Sequence, residues 1–380
     1  MKHKAYKFRF YPTIQQEELL AKTFGCVRFV YNYILKWRTD LYYQKKQSVS
    51  YTESSRKIAE IKKIDDLKWL NDVSSVSLQQ AIRHQQASFK NFFNGLTKYP
   101  ILKKKNDRQS ATFTRGAFKY KNDNIYIPKC EEPLKIKWSR NLPCMPTSIT
   151  ISKDTAGRYF VSCKCDVELI QYPISAKKIG IDLGLTHLFS TSNGDKIENK
   201  KLTKKYEKKL KRASQNLARK KLDSKNRQKS RLKVAKIHAK ISDSRKDYLH
   251  KLSSKLINEN QVVCIETLRV KNMLRNHSLA KTIADAGWGE FIKMLTYKAD
   301  WYGRTLIAID KFFPSSKRCN CCGYIIDNLP LNIRSWTCPQ CQSSLDRDIN
   351  AAKNIKEAGL ALLAFGENVS LVSLDTSCSQ

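Results

Sequence analysis

This 380-residue chain is short of acidic residues, of histidine and of long apolar runs. No apolar stretch approaches the 18 residues that a membrane-spanning helix needs, which excludes a helical membrane protein. The basic start, MKHKAYKFRFYP, lacks the apolar core of an export signal. The expected location is the cytoplasm, or the nucleoid when bound to DNA. Asp and Glu number 34 against 71 Lys and Arg, a formal net charge of +37. That excess is beyond what solubility requires and points to a polyanionic partner, nucleic acid ahead of a membrane surface. The six histidines, at 3, 84, 187, 238, 250 and 277, form no pair. That argues against strand transfer by a tyrosine nucleophile beside a His pair, in spite of 17 tyrosines. The twelve cysteines are not expected to make a disulfide scaffold, because the chain is long and its expected location is not an exported one.

What is present falls into distinct textures. Residues 1–12 alternate, with Tyr6, Phe8 and Phe10 between basic residues, and read as a half-buried strand stopped by Pro12. A capping box, Thr13 with Gln16, opens a helix over 13–47. Residues 54–95 read as helical, with a break at Trp69-Leu70-Asn71. From 99 to 175, short alternating segments broken by turn dipeptides predict hairpins of a small sheet or barrel, to which the first strand belongs. Ile179–Leu183 and Val262–Thr267 are short apolar strands, and Asn193-Gly194 is a tight turn. Between them, residues 196–256 hold 23 Lys and Arg against five Asp and Glu. Leu202, Leu210, Leu217, Leu222, Leu232, Ile237, Ile241, Leu249 and Leu252 recur at helical intervals there. The expectation is a pair of long helices with an apolar seam and a basic face for nucleic acid. The stretch from Ser278 reads as one helix followed, after Gly303, by a strand. A further helix is expected from about 349 to 363.

Cys319-x2-Cys322 and Cys338-x2-Cys341, fifteen residues apart, fit two knuckles holding one tetrahedral Zn²⁺. Cys321 intrudes, but its gap to Cys322 is zero, so 319 with 322 is the better pairing. Four thiolates leave no open coordination position, which makes the site structural. It would hold Lys317, Arg318 and Trp336 rigidly beside Asp348. Trp336 is either a base-stacking residue or a core tryptophan of the ribbon.

In so basic a chain, an acid on an apolar strand is informative. Asp182 lies in IGIDLGL, Glu266 ends VVCIE, and Asp348 opens a helix in SLDRDINAAKNI. Brought to one sheet edge, the three would raise one another's pKa unless cations bound them. Two divalent ions about 4 Å apart would then activate water and stabilise the leaving oxygen of a phosphodiester. The glycines beside Asp182 would admit a phosphate backbone. Taken singly, Asp182 in a turn, Glu266 as a solvated strand end and Asp348 as a helix cap remain open alternatives.

The chain resembles the TnpB (OrfB) family of IS200/IS605-type insertion sequences, relatives of the compact type V CRISPR effectors. The segments that carry the resemblance are KFRFYPTIQQEELLAKTFGCVRFVYN, KIGIDLGLTHLFSTSNGDKI, VVCIETLRVKNMLRNHSLAKTIADAGWGEFIKMLTYKADWYGRTLIAI and FFPSSKRCNCCG through WTCPQCQSSLDRDINAAKNI. Together they span nearly the whole chain. The resemblance implies an α/β fold: an RNase H-like (RuvC) nuclease domain with an inserted zinc ribbon, plus an N-terminal wedge-like β-barrel carrying a helical recognition insertion. The barrel would occupy 1–45 and 109–175 and the recognition lobe 46–108. The nuclease would occupy 176–314, including the basic helical segment 196–256. The ribbon would occupy 315–345, the last nuclease helix 346–366 and a flexible tail 367–380.

The resemblance makes Asp182, Glu266 and Asp348 the catalytic, Mg²⁺-binding triad and Cys319, Cys322, Cys338 and Cys341 the Zn²⁺ ligands. Arg347 is auxiliary, contacting the scissile phosphate, bracing an acid or simply bonding to Asp346 or a neighbouring turn; Asp346 would orient it. The implied partners are a guide RNA derived from the element's end and double-stranded target DNA, cut beside a short adjacent motif. A cationic channel for a heteroduplex whose sequence is read by base pairing suits the charge. Oligomeric state is left open. The pattern departs from the family at Cys321, at Thr267 after the second acid, and at Gln342, where the family often has Gly. That last position calls for a left-handed backbone, which strains a glutamine. An intact triad favours cleavage over a guided protein that only binds.

Overall fold

The computed structural model describes residues 2–365; the tail expected to be flexible, 367–380, lies outside them. The chain forms two compact units. Among the described residues, one covers 2–168 and also takes in 231–236; the other covers 169–230 and 237–365.

The first unit runs β1 (Lys2–Tyr11), α1 (Ile14–Lys45), α2 (Tyr51–Ile61), α3 (Ser75–Phe93), β2 (Gln109–Thr114), β3 (Lys119–Lys121), β4 (Asn124–Tyr126), β5 (Lys135–Lys137), β6 (Ser148–Lys153) and β7 (Tyr159–Val167). The capping box forms as the sequence predicts. Thr13 Oγ1 accepts from the Gln16 amide, and Gln16 Oε1 accepts from the Thr13 amide. The break near Trp69 is a 3-10 segment, Asp65–Asp72. Phe8 and Phe10 of β1, Leu20, Phe24 and Ile34 of α1, and Ile149, Ile151 and Val161 of β6 and β7 share one core.

Five of these strands pair antiparallel in the order β2-β6-β7-β1-β5. This corrects the expected N-terminal β-barrel: no sheet among the described residues closes on itself. Its edges are β2, which pairs with β6, and β5, which pairs with β1. Closure needs strand tilt and stagger carried around every ladder, and three-residue β5 is too short to carry them. Between β2 and β5 the chain forms the separate β3–β4 hairpin. Asn122 and Asp123, with φ of 50° and 58°, make its turn.

The second unit contains β8 (Lys178–Leu183), β9 (His187–Thr191), β10 (Lys196–Glu198), α4 (Leu202–Lys205), α5 (Glu207–Ala218), α6 (Lys225–Glu259), β11 (Val262–Glu266), α7 (Val270–Met273), α8 (His277–Ala286), α9 (Trp288–Tyr302), β12 (Thr305–Ile309), β13 (Ser335–Thr337), β14 (Ser344–Asp346) and α10 (Arg347–Ala364). Its sheet has the order β10-β9-β8-β11-β12. The first three strands are antiparallel, while β8, β11 and β12 are parallel. Parallel strands covered on both faces read as continuous apolar runs, which is why VVCIE and TLIAI stand out. On one face, Ile179 and Ile181 pack with Leu256 and Ile257 of α6 and Phe291 and Leu295 of α9. On the other, Cys264, Ile307 and Ile309 meet Ile355 of α10.

Two expectations are modified here. The single helix read from Ser278 is two, because Gly287 takes φ +69° and ends α8. In the basic segment, Leu202, Ile237 and Ile241 are buried together, with Leu210 packed against them. Leu222 and Leu232, counted in the same seam, are 71% and 37% exposed. Leu222 lies in the turn between α5 and α6, where the helical period is interrupted. No helix among the described residues is long and apolar enough to cross a membrane.

Candidate active site

The register of the parallel strands places the first two acids. Ile265 of β11 lies opposite Ile181 of β8, so Glu266 and Asp182 follow at adjacent positions on strands about 4.8 Å apart. Asp348 comes from the first turn of α10. That helix crosses β8 so closely that a Cβ on Gly180 would lie 2.1 Å from the Ala352 carbonyl oxygen and 2.7 Å from the Lys356 amide. Ala351 and Ala352 are fully buried at the crossing. Further along, a Cβ on Gly359 would lie 2.5 Å from Cys264 Sγ. The glycine before Asp182 therefore admits a helix backbone, where the sequence suggested a phosphate.

The electrostatics are those of crowded carboxylates. Burial, and then the charges of Glu266 and Asp348, push the Asp182 carboxyl well above its ordinary range, against the pull of Arg347 and Arg334. Burial also raises Glu266, partly offset by Ser315, whose hydroxyl donates to Glu266 Oε1 at 2.5 Å. Arg334 Nη1 stands 3.4 Å from Asp348 Oδ1. A donor set that raises its own proton affinity in this way is suited to divalent cations, which remove the repulsion.

The cap of α10 is Asp346, not Asp348. Asp346 Oδ1 accepts from the Asp348 and Ile349 amides, and its Oδ2 from Lys196 Nζ at 2.6 Å. Burial would raise this carboxyl, but Lys196 and the two amides outweigh it and hold it below the ordinary range. Asp348 is thereby left with a carboxylate that no cap claims. Arg347 is buried and turned into the cysteine segment, where Nη1 donates to the Pro330 carbonyl at 2.6 Å. Its charge still bears on Asp182. Thr267 Oγ1 donates to the Ile309 carbonyl at 2.7 Å, a tie between β11 and β12.

The four cysteines converge. Their sulfurs all lie within 4.8 Å of one another. Cys319 Sγ is 3.7 Å from Cys341 Sγ, and Cys322 Sγ is 3.6 Å from Cys338 Sγ. Zn–S bonds of about 2.3 Å in a tetrahedron put sulfurs about 3.8 Å apart, so the group fits a tetrahedral ion and is far too open for disulfides. Cys321 is exposed and stands outside the group. Gln342 has φ +57° and Gly323 φ +82°, matching left-handed turns after each knuckle. Trp336 is 7% exposed and packs with Leu329 and Leu345, as a ribbon-core residue.

A "Probable transposase" family model of the OrfB/IS605 group matches residues 161–277. A "Cas12f1-like, TNB domain" model matches 288–355, and a "Helix-turn-helix domain" model of the OrfB/IS605 group matches 1–47. A Streptomyces pristinaespiralis protein named "Putative RNA-guided DNA endonuclease" is 48% identical over 369 residues, covering 96% of this chain and 92% of the relative. The chain belongs to the TnpB (OrfB) family. The Escherichia coli K12 protein of the same name with the suffix InsQ is 29% identical, covering 96% of this chain and 94% of its own. Among solved structures, a Cas12f1–sgRNA–target DNA complex matches with TM-score 0.56 at 13% identity, over 93% of this chain and 98% of that one. At that identity the likeness is one of fold.

In this TnpB chain the helix-turn-helix match falls on one strand and one unbroken 32-residue helix. Sequence reasoning missed Ser315, Arg334 and Lys196. Each sits by an acid through tertiary folding, and no spacing rule links a serine before the first knuckle to Glu266.

Proposed function

We propose that the chain is an RNA-guided DNA endonuclease encoded by a transposable element. It binds a guide RNA from the element's end and cuts double-stranded DNA beside a short adjacent motif. The observation that carries the reading is the placement of Asp182 and Glu266 on adjacent parallel strand ends, with Asp348 close enough to raise the Asp182 carboxyl. Asp182, Glu266 and Asp348 would hold two Mg²⁺, which when bound supply a water-derived nucleophile and neutralise the leaving oxygen. The chain's own part is positional. α10 delivers Asp348, Asp346 caps that helix, and Arg347 ties it to the ribbon. Cys319, Cys322, Cys338 and Cys341 would hold one structural Zn²⁺.

The basic faces of α5 and α6 offer phosphate contacts. We take residues 46–108 as the recognition lobe between two wedge-like parts, 1–45 and 109–175. The nuclease comprises 176–314 and 346–366, interrupted by the ribbon at 315–345. The protein acts in the cytoplasm, on the nucleoid when DNA-bound.

The test is to express the protein with its flanking element sequence, sequence the RNA that co-purifies, and challenge the complex with a plasmid library randomised beside a guide-matched target. A discrete RNA and Mg²⁺-dependent cleavage are expected. Asp182→Ala should keep the RNA and lose cleavage by more than the roughly 10–100-fold that a supporting residue costs. Absence of a discrete RNA, or cleavage that survives Asp182→Ala, would overturn the reading.

A further inference from the structure

Glu266 ends a strand, and a strand-end carboxylate is free to swing unless something outside the sheet aims it. The group that touches it is the Ser315 hydroxyl, at 2.5 Å. Ser315 is buried, lies beyond the end of β12, and precedes the first knuckle. Its backbone is pinned on both sides. Its amide donates to the Phe313 carbonyl at 2.8 Å, and its carbonyl accepts from Asn354 Nδ2 at 2.8 Å. The same Asn354 Nδ2 donates to the Arg318 carbonyl at 2.6 Å, which also accepts from Asn350 Nδ2 at 2.7 Å. Asn350 Oδ1 in turn accepts the amide of Asn320, inside the Cys319–Cys322 knuckle, at 3.0 Å.

Asn350 and Asn354 are one turn apart and share a face of α10. Both are 2% exposed or less. Asn354 leaves its Oδ1 buried without a partner. The opposite amide orientation would set that oxygen against two carbonyls, so the side chain is locked as a donor. A continuous hydrogen-bonded path therefore runs from the cysteine knuckle through two asparagines to Ser315 and on to Glu266. The helix that carries it also carries Asp348.

We propose that Ser315 is the positioning residue for Glu266, and that through it the four-cysteine ribbon sets the geometry of the acidic site. A hydrogen bond to a ligating carboxylate fixes its orientation, and losing such a bond weakens metal affinity by about 10–100-fold. The ribbon thus acts on the ion site through Glu266 as well as through Asp348. The inference rests on the reading of the acids as the ion site.

The experiment compares wild type, Ser315→Ala, Ser315→Thr, Asn354→Ala and Asp182→Ala as RNA complexes. Three quantities are read: bound Mn²⁺ by electron paramagnetic resonance, the Mg²⁺ concentration giving half-maximal cleavage, and zinc content with melting temperature. Ser315→Ala is expected to weaken Mn²⁺ binding and raise the half-maximal Mg²⁺ about 10–100-fold, with zinc content and melting temperature unchanged. Ser315→Thr, which keeps the hydroxyl, should restore both. Asn354→Ala should shift the Mg²⁺ requirement in the same direction with Ser315 intact. Ser315→Ala with wild-type Mn²⁺ and Mg²⁺ behaviour overturns the inference. So does a loss that Thr fails to rescue and that follows lost zinc or a lowered melting temperature. A wild type with no Mn²⁺ site sensitive to Asp182→Ala removes the reading of the acids themselves, a different result from the first two.

Discussion

Two residues are held in states they would not choose alone. Gln342 takes a left-handed backbone that costs a non-glycine residue about 1–2 kcal/mol. Gln342→Gly should therefore raise the stability of the metal-loaded protein by about 0.5–1 kcal/mol, after the entropy of the more flexible unfolded chain is subtracted. A melting curve that fails to rise would refute this. Lys298 is buried, with its ammonium donating to Ser253 Oγ, Ser254 Oγ and the His250 carbonyl. Burial lowers its pKa from 10.5 to about 8. Below about pH 8 both folded and unfolded chains hold the proton, and the burial penalty is constant. Between about 8 and 10.5 the unfolded chain binds more protons, so rising pH favours the folded state. Unfolding free energies of wild type and Lys298→Met, compared at pH 7 and 9.5, should diverge in the wild type's favour by at most about 1.4 kcal/mol per pH unit in that window. The three acids of the proposed site stand out in the sequence because each sits in a short distinctive run. Which of Asp346 and Asp348 caps α10 was not legible there, since two acids two residues apart both suit a helix start. Lys196, distant in sequence, holds the cap where it is.

At the scale of elements, the site depends on the crossing of α10 over β8. Gly180→Ala would drive a methyl into the Ala352 carbonyl and the Lys356 amide, both backbone and unable to rotate away. The expected loss is about 3 kcal/mol or more, read by denaturant unfolding. Cleavage should fall with it, since Asp348 rides on the displaced helix. A variant as stable as wild type would show that α10 has room to shift. Most strands and helices could be placed from periodicity and caps. The closure of the first sheet could not, because alternation along a strand is the same in an open sheet and a barrel. Edge pairing decides between them, and here the edge strands β2 and β5 do not pair with each other. Gly287 was likewise visible but ambiguous: a glycine in a helical pattern is tolerated or terminates, and φ chooses.

For the molecule as a whole, the charge of +37 makes a quantitative demand. Binding of guide RNA should weaken linearly in log affinity against log salt, with a slope of about −0.7 to −0.9 per phosphate neutralised. Lys208, Lys209, Lys211 and Arg212 on α5 are exposed. Replacing the four with alanine should flatten that slope by about 0.7–0.9 for each phosphate left without its cation, with little change in stability. A filter-binding series at several salt concentrations measures it, and an unchanged slope would remove α5 from the interface. The order of the elements along the chain also has a temporal meaning. β8 and β11 leave the ribosome well before α10, which must pack across β8 to bring in Asp348. A chain ending before α10 lacks Asp348 and also Asn350 and Asn354, whose side chains hold the Arg318 and Ser315 carbonyls. The acidic cluster proposed as the cutting centre is thus assembled from the middle and the far end of the described chain, after the basic helices α5 and α6 in sequence order.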